Sequence, residues 1–172
     1  KDIIGQKRVV EQLRRSVDSN RLAHALLITG PRGNGKLAIA IALANYLLCG
    51  NRSGDVCGSC PACVKLDKFI HSDLHFVFPV KKRKGSSSDS APISDDYITE
   101  WRELLSKGAY FSYDDWLQKL DVENQQPMIY ERESNEILHK LSMQSREGGW
   151  KIVIIWLKEK MKETCSNKLL KV

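Results

Sequence analysis

Two hydrophobic spacings alternate along the chain, one typical of helices and one typical of buried strands. In Lys7–Asp18 the apolar residues recur every three or four positions, which predicts an amphipathic helix. Residues 25–29 (ALLIT) form a short apolar run that stops at a glycine-rich turn, as a buried parallel strand does. Residues 37–48 are apolar almost all round and predict a helix buried on most sides. Strand, glycine turn and buried helix in this order are typical of the start of a nucleotide-binding α/β unit.

The second half of the chain carries the same two spacings again. Strands are predicted at 74–80 and at 151–156 (KIVIIW). Helices are predicted at Glu131–Ser142 and at 160–171. Three side chains of the first of these helices are expected to face inward: Ile137, Leu138 and Leu141.

The segment between the two later strands divides into parts of different composition. Residues 81–96 (KKRKGSSSDSAPISDD) offer little apolar surface to bury, which predicts a mobile loop. Residues 97–128 contain six clustered aromatic residues and are expected to form a small helical insertion with a local core. These aromatic residues are Tyr97, Trp101, Tyr110, Phe111, Tyr113 and Trp116.

Length and composition limit the class of protein. The 172 residues, 42% of them hydrophobic, suffice for one ordinary domain, and no apolar run is long enough to span a membrane. Lys and Arg exceed Asp and Glu by 27 to 21, but the excess lies mainly in 81–84 and 150–172, which excludes a uniformly basic nucleic-acid coat. The start shows no secretory leader, so a cytoplasmic protein is expected. Lys1 and Val172 are expected to be the ends of a fragment.

Residues 30–36 match the phosphate-loop pattern G-x-x-x-x-G-K. Glycines let successive backbone N–H groups converge on phosphate oxygens, the following helix adds its positive dipole end, and Lys36 supplies a point charge. The position between an apolar run and a buried helix predicts a nucleotide site, and a tight turn without a ligand is the alternative. The candidate nucleotide-binding residues are Gly30, Pro31, Arg32, Gly33, Asn34, Gly35, Lys36 and Leu37.

The loop lacks the groups that hydrolysis requires. A hydrolytic loop continues with Ser or Thr, whose hydroxyl ligates Mg²⁺, but this chain has Leu37 there. A second, carboxylate ligand ordinarily ends a later core strand, whereas the strand at 151–156 ends in Trp156 and continues with Leu157. Glu159, the nearest acid, lies beyond that strand end. The pattern therefore predicts that ATP or ADP is bound, if at all, without hydrolysis.

Four of the five cysteines lie within fifteen positions, in the pattern C-x7-C-x2-C-x2-C over 49–63. In a chain without a leader, they are expected to be reduced thiols that bind metal. Four thiolates suit a closed, structural Zn²⁺ site. An iron–sulfur cluster is the alternative, although Asp67 stands where the bacterial ferredoxin pattern would continue with cysteine. The candidate metal ligands are Cys49, Cys57, Cys60 and Cys63.

Together these features resemble the bacterial clamp-loader AAA+ family. The matching landmarks run over nearly the whole chain: DIIGQ (2–6), HALLITGPRGNGK (24–36), the four-cysteine module, His71-x-Asp73, KIVIIW (151–156) and NKLLK (167–171). The resemblance implies an α/β fold over 1–172: a P-loop AAA+ parallel-sheet core without lid and collar, carrying the zinc module and the helical insertion. It also implies that residues 3–5 lie near an adenine pocket.

The resemblance also indicates a function. ATPase members of this family keep G-K-T/S and an acidic pair, and the register set by 167–171 places that pair at Trp156 and Leu157. The double loss resembles a member that has given up hydrolysis and has no ATPase activity of its own. Such a subunit acts as a stator in a five-membered ring with the delta and tau/gamma subunits of the DNA polymerase III holoenzyme. That ring loads the sliding clamp on primer–template DNA, and no membrane is involved.

Two other functions remain open on the residues alone. One is an active ATPase of the tau/gamma type with unusual metal ligands, for example Glu159. The other is a zinc-stabilised binder of single-stranded DNA, which would use the aromatic residues at 97–116 and the basic run at 81–84.

Overall fold

The computed structural model describes residues 3–82, 91–122, 125–147 and 149–169. The chain forms two compact units. The N-terminal unit comprises Lys1–His71 and Gly108–Tyr110, and the sheet unit comprises Ser72–Lys107 and Phe111–Val172. No helix in the described ranges is both long and apolar enough to cross a bilayer.

In the residues that the structure describes, the N-terminal unit contains three helices: α1 (Lys7–Asp18), α2 (Lys36–Leu48) and α3 (Pro61–Asp67). The boundaries of α1 are those predicted from its one-sided apolar pattern. Helix α2 is buried along most of its length, as its composition predicts. Near the C-terminal ends of α1 and α2, the Tyr46 hydroxyl donates a 2.6 Å hydrogen bond to Asp18 Oδ1. This bond ties the two helices together just before the cysteine module begins.

Residues 25–29, predicted as a buried strand, do not form one. Their leucine side chains are exposed, Leu26 at 45% and Leu27 at 65%. A strand exists only where a neighbouring strand bonds its backbone groups, and the described part of the N-terminal unit contains no strand. The prediction is therefore wrong for this structure, because an apolar run does not name a pairing partner, and without a partner these side chains stay exposed.

The sheet unit is organised around two parallel strands, β1 (Leu74–Val77) and β2 (Ile152–Ile155). They pair in register, with Leu74 opposite Ile152 and Val77 opposite Ile155. Both strands occur where the sequence predicts them, but β1 ends three residues earlier than expected. Proline at position 79 has no N–H to continue the ladder, and the next pairing is an antiparallel bridge between Val80 and Met128.

Two helices cover one side of these strands. Helices α6 (Glu131–Ser142) and α7 (Glu163–Leu169) pack on each other. A core cluster joins them to the sheet and consists of Val77, Ile129, Ile137 and Cys165. Of the three α6 residues predicted to face inward, Ile137 is buried, whereas Leu141 is exposed, so that part of the prediction is wrong. Leu141 lies in the last turn of the helix, past the part that the core cluster covers.

Aromatic residues of 97–128 form a second core. They pack against Phe76 of β1 and against Phe78, which directly follows that strand. The described residues of this range form two short helices, α4 (Ile98–Ser106) and α5 (Tyr113–Lys119). Trp101 from α4 and Trp116 from α5 are both fully buried. Trp101 stacks on Phe78 with 4.3 Å between ring centroids, and Trp116 meets Phe78 edge-on at 5.0 Å. These contacts lie on the other side of the strand from the α6–α7 core, because successive side chains of a strand point to opposite faces. Val77, between Phe76 and Phe78, belongs to the α6–α7 core.

Residues 91–96 are packed, which differs from the mobile loop predicted for 81–96; residues 83–90 lie outside the described ranges. Ala91, Ile93 and Ser94 are buried, and Ser94–Tyr97 forms a 3₁₀ turn. The side chain that holds this turn is Glu133 of α6, whose Oε2 accepts bonds from Ser94 N (2.6 Å) and Ser94 Oγ (3.0 Å). These bonds explain why a polar segment with few apolar residues is nevertheless ordered.

Burial raises the pKa of Glu133 to about 7, against the hydrogen bonds from Ser94 that lower it. Since the folded pKa lies above the ordinary value of 4.5, the folded state holds this proton more tightly than the unfolded state. The contribution of Glu133 to stability is thus present below pH 4.5 and is lost as the pH rises through about 7. The stability of wild type relative to Glu133→Gln is therefore expected to fall by about 3 kcal/mol as the pH rises across this window.

The measurement is urea denaturation of both proteins at several pH values between 4.5 and 8. Glu136→Gln is the matched control, because Glu136 lies one turn further along α6 and is only partly buried. This variant removes a carboxylate from the same helix and leaves the bonds between Glu133 and Ser94 in place. Parallel pH profiles for wild type and Glu133→Gln would show that Glu133 does not titrate in this range.

Candidate metal centre and phosphate loop

The four cysteines of 49–63 converge in the N-terminal unit, and their sulfur atoms all lie within 4.8 Å of one another. The Sγ atoms of Cys49 and Cys57 are 3.6 Å apart, and those of Cys57 and Cys63 are 3.8 Å apart. Four sulfurs on a tetrahedral ion with bonds of about 2.3 Å are separated by about 3.8 Å. The arrangement therefore fits a single tetrahedral ion. An iron–sulfur cubane would hold the sulfurs further apart, because each would bind a different iron atom.

Local structure brings the four thiols together. Cys49 immediately follows α2 and is its C-terminal cap. Cys60 is the N-terminal cap of α3 and precedes Pro61, which suits the first position of a helix. Between these helix ends the backbone folds back through Gly54 and Gly58, both at positive φ. The module is therefore a short knuckle closed between two helix ends, and three of its sulfurs accept backbone N–H groups.

Those N–H groups come from the module itself. Cys57 N donates to Cys49 Sγ (3.4 Å), Cys60 N to Cys57 Sγ (3.4 Å), and Cys63 N to Cys60 Sγ (3.5 Å). Backbone hydrogen bonds from Ser59 and Cys60 lower the pKa of Cys57 to about 6, which favours the thiolate. Burial raises the pKa of Cys63 to about 12, so that thiol ionises only beside a cation. The donor set combines soft sulfurs with preformed N–H support, which is the chemistry of a thiolate metal site.

Arginine side chains brace the module against the helices of the same unit. Arg52 Nη1 donates to the carbonyl oxygens of Tyr46 (3.3 Å) and Leu47 (3.2 Å) in the last turn of α2. Its guanidinium also lies over the Tyr46 ring, 5.5 Å from the centroid. Arg14 of α1 donates to the Gly54 carbonyl oxygen at 2.9 Å. These contacts fix the orientation of the knuckle relative to α1 and α2.

The glycine-rich turn before α2 has the backbone of a phosphate loop. Gly30, Gly33 and Gly35 all have positive φ, of 152°, 81° and 70°. Gly35 caps the N-terminus of α2, so the free N–H groups of the first helical turn face the loop. The Lys36 ammonium donates to the carbonyl oxygens of Gly30 (2.9 Å) and Pro31 (2.6 Å). The structure therefore brings the loop glycines and the lysine together.

The two residues at the positions predicted for magnesium ligands, Leu37 and Trp156, have no oxygen atom in their side chains. In the N-terminal unit, Leu37 is buried in the first turn of α2 and offers no oxygen atom. In the sheet unit, Trp156 packs with its ring 5.2 Å from Trp101 and 5.3 Å from Phe111, measured between centroids. Leu157 follows in a left-handed conformation (φ 58°) and leads into the 3₁₀ turn Lys158–Lys160, which contains Glu159.

In the motif His71-x-Asp73, the aspartate has a structural role. Asp73 lies just before β1 and is fully buried. Its carboxylate accepts a hydrogen bond from Ser145 Oγ at 2.9 Å. It also accepts bonds from the backbone N–H groups of Arg146 and Glu147, each at 3.0 Å. It fixes the turn that leads into β2. His71 is buried and lies outside the cysteine cluster.

Sequence reasoning missed one residue of this site, Tyr110. It belongs to the N-terminal unit, and its hydroxyl accepts a 2.8 Å hydrogen bond from Ile4 N. Its ring lies against Gly35 of the phosphate loop. No local signal could have revealed these contacts, because Tyr110 is far from both partners in sequence and resembles the other aromatic residues of the insertion.

The helices, parallel strands, phosphate loop and four-cysteine module are together consistent with the clamp-loader class of proteins. The family model described as "DNA polymerase III, delta subunit" matches residues 5–172, and the chain belongs to this family. The resemblance seen in the sequence, to the delta-prime subunit of bacterial DNA polymerase III, is thereby confirmed.

Curated relatives agree with this assignment. The chain is 39% identical over 74 residues to DNA polymerase III subunit delta' of Bacillus subtilis, covering 43% of this chain and 22% of that protein. It is also 39% identical over 111 residues to DNA polymerase III subunit gamma of Buchnera aphidicola, covering 64% of this chain and 27% of that protein. Over 95 residues it is 39% identical to DNA polymerase III subunit gamma/tau of Mycobacterium bovis, covering 55% and 16%. The chain thus aligns with about a quarter or less of each relative.

Proposed function

We propose that this chain acts as a non-hydrolysing, stator-like subunit of the bacterial DNA polymerase III clamp loader. The family match over 5–172 supports the clamp-loader role, and the similarity to a delta' subunit supports the particular position. The proposed partners are the delta and tau/gamma subunits of a five-membered ring. Through that ring, the chain would help to load the sliding clamp on primer–template DNA in the cytoplasm.

The absence of magnesium-binding oxygens at two positions carries the proposal. The residue after Gly35-Lys36 is Leu37, whose buried hydrocarbon side chain cannot ligate a cation. The residue that ends the KIVIIW strand is Trp156, which packs against other aromatic rings. Hydrolysis by a phosphate-loop protein requires Mg²⁺ and a positioned water. A loop with neither ligand can bind ATP or ADP but does not activate the metal or the water.

The proposed role of the cysteine module is structural Zn²⁺ binding by Cys49, Cys57, Cys60 and Cys63. Four protein thiolates fill a tetrahedral ion and leave no position for a reacting water. The module directly continues α2, and Arg52 joins it to the last turn of that helix. A bound ion would therefore stiffen the end of α2 opposite to the phosphate loop.

An ATPase assay tests the proposal. We expect no Mg²⁺-dependent ATP turnover by the purified chain above that of the Lys36→Ala variant, because Leu37 and Trp156 supply no metal ligand. Turnover that depends on Mg²⁺ and disappears in Lys36→Ala would show that the chain is an active ATPase.

That second result would favour the tau/gamma-type alternative. The matches to gamma and gamma/tau proteins are the observation behind it. Glu159 would then be the acidic residue to substitute, since it lies in the 3₁₀ turn directly after the strand end. Loss of turnover in both Lys36→Ala and Glu159→Gln would identify Glu159 as the replacement ligand.

The single-strand binder receives little support from the structure. Base stacking needs exposed aromatic faces, but Trp101 and Trp116 are fully buried and Tyr97 is nearly so. Tyr110 is exposed, but its ring lies against Gly35. Residues 83 and 84 of the basic run lie outside the described ranges.

A further inference from the structure

Tyr110 is in close contact with the phosphate loop. A Cβ atom added to Gly35 would lie 2.8 Å from Tyr110 Cε1 and 3.2 Å from its hydroxyl oxygen, so ring and backbone already touch. The same hydroxyl accepts the 2.8 Å hydrogen bond from Ile4 N. The side chain thus rests on the loop and is held there at its far end by the N-terminal segment.

This contact lies at the anion-binding end of α2. The first backbone hydrogen bond of the helix runs from Ile39 N to Gly35 O at 2.9 Å, which leaves the N–H groups before Ile39 without an intrahelical partner. Phosphates bind to such groups at a helix N-terminus. A ring packed on Gly35 therefore borders the position that a phosphate would take.

The loop lysine is also engaged. Lys36 Nζ donates to the carbonyl oxygens of Gly30 (2.9 Å) and Pro31 (2.6 Å). A phosphate that approaches the loop has to draw the ammonium away from these acceptors. The contact of the Tyr110 ring and the two hydrogen bonds of Lys36 thus hold the loop in a closed conformation.

We propose that Tyr110 is a gating residue of the phosphate loop: a nucleotide phosphate binds only after the Tyr110 ring leaves Gly35. The inference rests on the proposed function, in which the loop takes nucleotide without hydrolysing it. Because only the open fraction of molecules binds, the ring lowers the apparent affinity by that fraction. Tyr110 thereby controls how much nucleotide the chain holds.

The test is a calorimetric titration of the full chain with ADP, without Mg²⁺. Tyr110→Ala removes the ring, and we expect it to bind ADP about tenfold more tightly than wild type. Tyr110→Phe keeps the ring but loses the bond to Ile4 N, and we expect an intermediate gain of about fivefold, the worth of one hydrogen bond. Leu141→Ala is the matched control, since Leu141 is exposed to a similar degree (41% against 44%) and lies on α6. Its affinity is expected to equal that of wild type.

A second readout does not depend on ADP. Acylation of Lys36 by a small amine-reactive reagent, followed by peptide mass spectrometry, is expected to be several-fold faster in Tyr110→Ala than in wild type. Unchanged or weaker ADP binding by Tyr110→Ala overturns the proposal, and so does a failure of both proteins to bind ADP at millimolar concentration.

The gate and the proposed function fail in different ways. ATP turnover is measured in the same variants, and we expect none in Tyr110→Ala even if its affinity rises, because Leu37 remains. Turnover in Tyr110→Ala would overturn the non-hydrolysing function while leaving the gate supported. Equal affinities without turnover would overturn the gate and leave the proposed function intact.

Discussion

Substitution of Cys57 by serine is expected to abolish stoichiometric metal binding and to unfold the cysteine module. Cys57 is the central residue of the cluster, with its sulfur 3.6 Å from Cys49 Sγ and 3.8 Å from Cys63 Sγ. Structural zinc contributes apparent free energies of about 10–16 kcal/mol in zinc-finger peptides at neutral pH. A module of this size has few apolar contacts with which to replace the ion, so we expect the largest effect of any single substitution here.

The measurement combines elemental analysis with thermal denaturation in the presence and absence of a chelator. Wild type is expected to carry one zinc ion per chain and to lose stability when chelator is added, whereas Cys57→Ser carries none and does not respond. Cys165→Ala is the control, because Cys165 is equally a cysteine but lies in the α6–α7 core. It is expected to lose some stability and to keep its zinc. Iron with visible absorbance, or zinc retained by Cys57→Ser, would contradict the assignment.

The module also shows what the sequence can specify. Four ligands at short spacing meet through local turns, so their convergence follows from the pattern C-x7-C-x2-C-x2-C alone. The same applies to α1, whose one-sided apolar pattern defines a helix without reference to the rest of the chain. Local chemistry, when it is complete within about fifteen residues, can be predicted from residues alone.

Contacts between distant segments could not be predicted in this way. Residues 25–29 carry the apolar pattern of a strand, but strand formation depends on a partner that no local pattern names. Residues 91–96 look polar and mobile, yet Glu133 from α6 accepts their hydrogen bonds and orders them. One signal was available for this case: Glu133 stands one turn before the buried Ile137, on the inward face of its helix. A carboxylate in that position indicates a buried polar partner.

Among the contacts that the sequence did not predict, those of Tyr110 matter most for function. The aromatic residues of the insertion were expected to form one local core, and Trp101 and Trp116 do so. Tyr110 instead belongs to the N-terminal unit and rests on Gly35. Residues 97–128 are thus divided between the two units: Trp101 and Trp116 build the aromatic core of the sheet unit, and Tyr110 contacts the phosphate loop within the N-terminal unit.

Replacement of Trp101 by alanine is expected to be the most destabilising change in the sheet unit, at about 3–5 kcal/mol. Trp101 is fully buried, and its ring contacts those of Phe78 (4.3 Å), Trp116 (5.3 Å) and Trp156 (5.2 Å, all between centroids). Removing the ring leaves a large cavity at the end of β2. We expect the melting temperature to fall by about 10 °C, measured by circular dichroism.

Phenylalanine substitutions separate packing from hydrogen bonding in the same core. Trp101 Nε1 has no hydrogen-bond partner among the described residues, whereas Trp116 Nε1 donates to the Pro79 carbonyl oxygen at 2.8 Å. Trp101→Phe and Trp116→Phe remove the same ring atoms from two fully buried positions, but only the second also breaks a hydrogen bond and leaves a buried carbonyl unpaired. Urea denaturation is therefore expected to show Trp116→Phe less stable than Trp101→Phe by about 1–2 kcal/mol. Equal losses would mean that aromatic packing alone determines the stability of this core.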